Sequence, residues 1–433
     1  MRSSITACRH VRIFRLAPTG EGISRGEHGV GFVAGALPGE EVEAEVGEVR
    51  RSFWRGRTIA VLAASRDRVL APTDACPGCD WGHFDLGAAR AAKRELFLET
   101  MQRIGKTPSE KFGELPIADS PPGYRVRNRF HLEGRGAELV LGQYAGRTHR
   151  VESVGACRAL TPRTAALLPL VREALAETGA APSELATIED LAGERRLARA
   201  TLGDTAKRHV RKEADAVARA LAPFFAGVKV LDKDGRVVGE IGEPRLAIEV
   251  ASRIFRVSVD TFFQGNRHLA ARLFADVGEA SGGPAGDALD AFGGVGFFAA
   301  SLLEKGHSVV SVEGSPSAAR DAGKTRLGWA DADRWKIVPS SVAGFLSSSP
   351  RRFDLVVADP PRAGLVHIAR PLGERARRRF VYVSCEPTTL ARDLLELVAE
   401  GFEIADARLY DLFPLTHRVE AVVTLVRVAR SRA

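Results

Sequence analysis

Residues 287–313 read DALDAFGGVGFFAASLLEKGHSVVSVE, and this stretch decides the fold of the C-terminal part of the chain. It contains an apolar strand pattern, a glycine-rich turn, a helix pattern and a second strand pattern at 308–312. Further apolar strand patterns follow at 353–359 and 380–385, with helix patterns from Ser315 and in TLARDLLELVAE. This alternation predicts right-handed crossovers and a doubly wound parallel sheet. The closing segments FEIADARLY and VEAVVTLVRV have no long helix between them, which predicts an antiparallel hairpin at one edge.

The glycine-rich turn at 290–296 indicates a nucleotide-type ligand site. Glycines let the backbone turn sharply at the carboxyl end of a strand, where α/β sheets bind ligands. Glu313 ends the next strand about 20 residues on, the spacing of an acid that bonds ribose hydroxyls. The glycines do not follow G-x-G-x-x-G, so S-adenosylmethionine fits the turn at least as well as a dinucleotide. A tight turn with a helix-capping acid is the alternative, but strand, turn, helix and acid all fall in register.

Two other strand ends carry unusual residues. Asp359 is followed by two prolines and Arg362, and the prolines stiffen the loop that holds the carboxylate. Cys385 ends the next strand, where its thiol is a candidate nucleophile facing the same cleft. The alternative for Cys385 is a buried cysteine that packs as a small hydrophobe. Glu420 begins the last strand, where an isolated glutamate is usually a surface residue.

Composition limits the class of protein. The 433 residues predict two to four domains at about 100–200 residues each. Hydrophobic residues make up 45% and charged residues 27%, which excludes a disordered, collagen-like or disulfide-dense chain. The net charge of +8, with arginine far in excess of lysine, favours a polyanionic partner. We expect no secretory signal and no membrane span, a reducing and therefore cytoplasmic compartment, and a monomer.

The first 65 residues predict a small all-β barrel or sandwich, because short Val-, Ile- and Phe-rich runs alternate with Gly and Pro turns. The segment RRSFWRGR interleaves cations and aromatic rings, with Arg50 and Arg51 beside Phe53 and Trp54. Such a pattern suits phosphate contact with base stacking. A solvated edge strand with both rings turned into the core is an equally good interpretation.

Longer motifs carry a family resemblance. The segments are DPPRAG from Asp359, VSCEPTTLARD around Cys385 and FPLTHRVE ending at Glu420. Together with DTFFQGN at 260–266, they resemble the signature motifs of the RNA 5-methyluridine methyltransferases that act on tRNA or 23S rRNA. The N-terminal zone resembles a TRAM domain, an OB-type RNA-binding barrel. The resemblance implies an α/β, Rossmann-like methyltransferase domain at 247–433, a TRAM barrel at 1–65 and a mixed central domain at 66–246.

The resemblance also implies roles for individual residues. Cys385 would add to carbon 6 of the uracil and Glu420 would remove the carbon 5 proton. Asp359 would hold the uracil edge and the cofactor end of the cleft, and Arg362 a phosphate or the enolate charge. The predicted contacts to S-adenosylmethionine are Gln264, Phe292, Gly294, Gly296, Glu313 and Asp359. Two positions depart from the family pattern, because Glu386 and Phe297 stand where asparagine is usual.

The segment CPGCDWGH at 76–83, together with Cys157, resembles the iron–sulfur site of this family. A [4Fe-4S] cluster normally has four thiolate ligands, and here one cysteine is missing. Three alternatives stay open. They are a cluster held by Cys76, Cys79, Cys157 and Asp74 or distant Cys8, a zinc site of Cys76, Cys79, His83 and Cys157, and a degenerate site without metal.

The predicted partner is structured RNA, 23S rRNA or tRNA, whose target uridine would be flipped into the pocket. A second hypothesis is another S-adenosylmethionine-dependent nucleic-acid methyltransferase, since Asp-Pro-Pro also occurs in amino-methylating enzymes. A third is a non-catalytic RNA-binding or folding factor that keeps the fold. A nicotinamide oxidoreductase is a distant fourth.

Overall fold

The computed structural model describes residues 8–70, 78–145, 150–154, 157–205 and 208–428. It begins with a closed five-stranded barrel in the order β1-β2-β3-β5-β4, which leaves no open sheet edge. The strands are β1 (Cys8–Leu16), β2 (Gly22–Gly26), β3 (Gly29–Ala34), β4 (Glu41–Val49) and β5 (Phe53–Ala63). The expected N-terminal barrel is therefore confirmed.

The barrel core corrects one predicted RNA contact. Trp54 is only 1% exposed and packs with Ile13, Val33 and Val42 inside the barrel. Its ring lies so close to Gly31 that a Cβ there would come within 2.3 Å of it. The period-2 alternation of β5 turns this ring inward, so Trp54 is unavailable for stacking on a base.

Helix α1 (Leu86–Arg103) connects the barrel to the C-terminal domain. It begins at Asp85, whose carboxylate accepts hydrogen bonds from the N–H groups of Gly87 and Ala88. Phe97 and Met101 are fully buried in the core of the C-terminal sheet. The short strand β6 (Ile117–Ala118) follows and joins the edge of that sheet.

A seven-stranded sheet in the order β13-β12-β11-β10-β7-β8-β9 forms the central part. Its elements are β7 (Arg127–Glu133), β8 (Val140–Tyr144), β9 (Val151–Ser153), α2 (Pro162–Glu177), β10 (Pro182–Glu189), β11 (Arg196–Leu202), α3 (Val210–Leu221), β12 (Gly227–Leu231) and β13 (Val237–Gly242). The two helices cover one face. On the other face, Ala186 and Ile188 pack against the core of the C-terminal domain. A hairpin of β14 (Leu246–Val250) and β15 (Arg253–Val257) leads onward.

The C-terminal sheet has the order β18-β17-β16-β19-β20-β22-β21-β6, parallel from β18 to β20. Its strands are β16 (Asp287–Ala291), β17 (Ser308–Glu313), β18 (Trp335–Pro339), β19 (Phe353–Ala358), β20 (Ala376–Ser384), β21 (Phe402–Tyr410) and β22 (Glu420–Arg427). Its helices are α4 (Ala270–Ser281), α5 (Phe297–Glu304), α6 (Pro316–Arg326), α7 (Val342–Ser348), α8 (Ala369–Arg375) and α9 (Pro387–Ala399).

The predicted doubly wound α/β fold is therefore confirmed. The final hairpin forms as expected, but β22 lies inside it, antiparallel to β20, and β6 covers the outer side of β21. This order matters for the site because it brings the start of β22 beside the end of β20. Among the described residues, no helix is both long and apolar enough to cross a membrane.

Candidate functional site

Three chain segments meet at the carboxyl edge of the C-terminal sheet. Ser384 pairs with Ala421, so in the antiparallel register Cys385 comes opposite Glu420. On the other side of β20, Ala358 pairs with Tyr382 in parallel, and Asp359 is the next residue beyond β19. The thiol and both carboxylates predicted from the sequence therefore belong to one edge.

The electrostatics of these groups are coupled. Burial, followed by the Glu420 and Asp359 charges, raises the pKa of the Cys385 thiol to about 12, although Arg362 opposes the rise. Glu420 is 6% exposed, and burial followed by Asp359 raises its pKa. Burial and then Asp290 raise the pKa of Asp359 to about 7. The edge therefore retains protons at neutral pH, and Cys385 is a neutral thiol in this state.

Helix α9 holds both the cysteine and the Asp-Pro-Pro loop. It begins right after Cys385, and its Asp393 accepts hydrogen bonds of 2.6 Å from the backbone N–H of Leu365 and from the Tyr382 hydroxyl. The Thr389 hydroxyl donates to the Arg362 carbonyl at 3.1 Å. One helix thus fixes the loop that carries Asp359 and Arg362 against the strand end that carries the thiol.

The glycine-rich turn has the features of a cofactor cradle. Phe292 and Gly294 have φ angles of 72° and 55°, and no atom lies within 4 Å of a Cβ placed on Gly294. The Gly294 N–H donates to Glu313 Oε2 at 2.8 Å, so the acid lies at the mouth of the turn. Asp290 is fully buried, and its Oδ1 has no hydrogen-bond partner. Open space, an acid and an orphaned acceptor fit the ribose hydroxyls and ammonium group of S-adenosylmethionine. Gly296 plays a different part, because it allows Trp335 to pack against the turn.

The DTFFQGN segment lies between the central and C-terminal sheets. Asn266 donates to the Ser120 hydroxyl and to the Leu412 carbonyl, both at 2.9 Å, which ties the segment to the loop before β22. Gln264 on this segment is 8% exposed. Phe262 is 60% exposed, and the Arg127 guanidinium lies 5.9 Å from its ring centroid. Sequence reasoning singled out Gln264 but not the exposed ring beside it.

The loop from 411 to 419, which delivers Glu420, is anchored from two sides. Lys93 of α1 donates to Asp411 Oδ1 at 2.5 Å in a pair of which each side chain is 1% exposed. The backbone N–H of Trp81 donates to the Leu415 carbonyl at 2.9 Å, and His417 contacts the Asp80 carboxylate. Neither anchor was visible in the sequence, since a lysine and an aspartate far apart in the chain carry no pairing signal.

Arg418 is a further candidate that the sequence reasoning missed. It is half-buried and lines a cavity of about 30 Å³ that also contains Cys385 and Glu386. Burial, then Arg362, lowers the pKa of Arg418. Its place inside the FPLTHRVE motif is the signal that could have identified it.

The barrel residues of the RRSFWRGR segment divide into two groups. Arg50 and Arg51 are exposed, with Arg50 paired to Glu48 at 2.7 Å. Phe53 is half-buried and packs edge-on against Phe32. Arg57 is exposed as well, so the predicted RNA contacts that remain in this segment are exposed cations and the partly covered Phe53 ring.

The cysteine cluster is only partly described. Cys76 and Asp74 lie outside the described residues, while Cys79 and Cys157 line one cavity of about 50 Å³. Among the described residues, no group of three or more His, Cys, Asp or Glu side chains could hold a metal. The zinc set with His83 and the set with Cys8 each include Cys76, which lies outside the described residues, so both stay predictions.

His83 lies near Arg68 and Glu40, and burial lowers its pKa to about 4. The cluster of Cys76, Cys79, Cys157 and Asp74 gains no support, since only two of its four ligands are described.

Comparisons with known proteins agree with this geometry. The family model described as tRNA (uracil-5-)-methyltransferase matches residues 347–428, which contain Asp359, Cys385 and Glu420. An RNA methyltransferase of Streptomyces coelicolor is 31% identical, over 97% of this chain and 93% of its own length. A 23S rRNA (uracil(1939)-C(5))-methyltransferase of Pectobacterium atrosepticum is 29% identical, over 95% of this chain and 92% of its own.

The structural comparison covers almost the whole chain. The crystal structure of a Pyrococcus abyssi tRNA (uracil-54, C5)-methyltransferase, in complex with S-adenosyl-L-homocysteine, superimposes with a TM-score of 0.76. It covers 96% of this chain and 99% of that one at 20% sequence identity. At that identity the match supports the fold alone.

Proposed function

The chain belongs to the RNA 5-methyluridine methyltransferase family, and from that premise we propose that it transfers a methyl group from S-adenosylmethionine to carbon 5 of a uridine in RNA. The observation that carries the proposal is the register that sets Cys385 opposite Glu420, with Asp359 one strand away. A nucleophile and a base on neighbouring strand ends can both react with one pyrimidine ring.

Cys385 begins the reaction. Carbon 5 of uridine is too weak a nucleophile to attack a methyl sulfonium, but addition of a thiolate at carbon 6 converts the ring into an enolate that is nucleophilic at carbon 5. S-adenosylmethionine, when bound, supplies the electrophilic methyl group. The thiol must lose its proton to solvent before the sulfur adds to carbon 6, and burial, which raises the pKa of Cys385, opposes that loss in the free protein.

Glu420 completes the reaction. After methylation, carbon 5 carries both a methyl group and a proton, and a carboxylate must accept that proton. Electrons of the C–H bond then re-form the ring double bond and expel the Cys385 thiolate, so the enzyme is regenerated. Burial and the Asp359 charge raise the pKa of Glu420, so its carboxylate, once ionised, is a stronger base than an exposed glutamate.

The charged neighbours have distinct roles in the proposal. Asp359 holds the uracil edge, and the guanidinium of Arg362 balances the enolate charge or a phosphate. Arg418, half-buried beside the thiol, is a second cation that stabilises the thiolate. The cofactor is held by Glu313 and the turn at 292–296, with Gln264 and Asp359 at its reactive end.

The RNA substrate is 23S rRNA or tRNA, and full-length relatives at 29% identity that are named for 23S rRNA favour the former. We propose that the barrel is a TRAM-type RNA-binding module, with Arg50 and Arg51 on phosphates and Phe53 against a base.

Mapping of 5-methyluridine by mass spectrometry, in 23S rRNA and tRNA from cells with and without the gene, tests the proposal. A site that is lost in the deletion strain and restored by the wild-type gene is expected. The Cys385→Ala gene should fail to restore it. Restoration by Cys385→Ala would refute the covalent mechanism, and an unchanged map would refute the activity.

A further inference from the structure

A cavity of about 260 Å³ lies on the face of the central sheet opposite α2 and α3, the face that also carries Ala186. Its polar lining is dominated by guanidinium groups. The lining side chains that carry the inference are Arg125, Arg127, Arg129, His131 and Arg199, with Val259 on the side of the DTFFQGN segment.

The strand register builds this cavity. Arg127, Arg129 and His131 alternate along β7 and therefore project from one face. Arg129 pairs with Ala186 on β10, and Ala186 pairs with Arg199 on β11. The small alanine between two arginines leaves room between their side chains, which explains why a cavity forms there.

The charges of the cavity are incompletely balanced. The Glu184 and Asp260 carboxylates both form ion pairs with Arg199, and Asp260 also accepts a hydrogen bond of 2.7 Å from Lys229. Within the part of the chain that the structure describes, no acid forms an ion pair with Arg125 or Arg127. The Nε atom of Arg127 is buried without a hydrogen-bond partner. Burial, then Arg129 and Arg199, lower the pKa of Arg127, and the Asp260 charge opposes them only in part.

A partly buried cation without a counter-ion is costly, so the cavity is suited to an anionic ligand. Aromatic surfaces adjoin it. His131 stacks on Tyr144 with 3.7 Å between ring centroids, and the Arg127 guanidinium lies over the ring of the exposed Phe262. Guanidinium groups beside exposed rings are the combination that binds a single nucleic-acid strand.

We propose that this cavity binds a phosphodiester of the substrate RNA, outside the target uridine, and so holds the strand while the uridine occupies the Cys385 edge. The inference rests on the proposed function. The volume of the cavity lies just below the range of about 300–1,000 Å³ for small-molecule sites. This favours a single phosphodiester of a longer strand over a whole small ligand. Val259 comes just before the DTFFQGN segment, whose Asn266 is bonded to the loop that leads to Glu420.

The test measures binding of a fluorescein-labelled, single-stranded RNA of mixed sequence to the full chain by fluorescence anisotropy, across a range of salt concentrations. Arg127→Gln should weaken binding about tenfold or more and reduce the salt slope by about 0.7 for each phosphate that is no longer neutralised. Arg129→Gln should act in the same direction, and because Arg129 is exposed its replacement leaves the core intact. Arg211→Gln is the matched control, since that exposed arginine lies on α3 across the sheet.

Unchanged affinity and slope in both cavity variants would overturn the proposal. So would a result in which inorganic phosphate raises the melting temperature of the wild type but not of the variants, while RNA affinity stays equal, because the site would then hold a free anion. If the variants lose RNA affinity but cells make no 5-methyluridine, the cavity assignment stands and the proposed activity fails. Binding of S-adenosylhomocysteine should be equal in all four proteins.

Discussion

Replacing Lys93 with methionine tests how the loop from 411 to 419, which leads to Glu420, is anchored. Lys93 and Asp411 are each 1% exposed, and the Lys93 ammonium also donates to the Phe413 carbonyl at 3.2 Å. Burial lowers the pKa of Lys93 and raises the pKa of Asp411, so each charge depends on the other. Lys93→Met keeps most of the side-chain volume but leaves a buried carboxylate alone, which should lower the free energy of unfolding by about 3–5 kcal/mol.

A double variant separates loss of charge pairing from loss of packing. Lys93→Met combined with Asp411→Leu removes both charges, so it should recover most of the lost stability. Lys111→Met is the control, because Lys111 is exposed and its replacement should change stability by less than about 0.5 kcal/mol. Urea unfolding followed by tryptophan fluorescence measures all three.

The loss in Lys93→Met should depend on pH. In that variant burial raises the folded-state pKa of Asp411 without the hydrogen-bonded Lys93 ammonium, and only the charge of Arg90 still lowers it. A carboxyl group whose pKa is higher in the folded state stabilises that state at low pH. This contribution to the free energy of unfolding is lost as the pH rises through the folded-state pKa. The deficit should therefore be smaller at pH 5 than at pH 8. A single variant as stable as the wild type, or a double variant as unstable as the single one, would refute the reasoning.

Three other substitutions test the catalytic edge, the barrel core and the Asp-Pro-Pro loop. Glu420→Gln cannot accept the carbon 5 proton, so a covalent protein–RNA complex should accumulate on denaturing gels; normal turnover without such a complex would contradict the role of Glu420. Trp54→Ala should lower the free energy of unfolding by about 3–5 kcal/mol, because the ring is buried, and a stable variant with weaker RNA binding would contradict its core position. Gly364→Ala places a Cβ 2.5 Å from the Asp393 carboxylate at a φ of 72°, so it should lower both kcat and the melting temperature. Equal values for wild type and variant would show that the Asp-Pro-Pro loop tolerates displacement.

The sequence alone determined the local features of the catalytic domain. The strand ending before the glycine-rich turn, the strand ending at Asp359 and the strand ending at Cys385 are each recognisable from neighbouring residues. Apolar runs that stop at glycine, proline or an acid define strand ends, and parallel strands place those ends on one edge. The candidate residues on the sheet edge are therefore identifiable from the order of residues along the chain.

The tertiary structure decided how distant segments combine. Only the insertion of β22 between β20 and β21 sets Glu420 opposite Cys385. The sequence pattern of a strand does not indicate which strands lie beside it in the sheet. The Trp54 ring could face either way until the barrel closed around it, because shifting a strand register by one residue exchanges the two faces. The Lys93–Asp411 pair and the arginine cavity join residues far apart in the chain, so they arise from packing that no local pattern encodes.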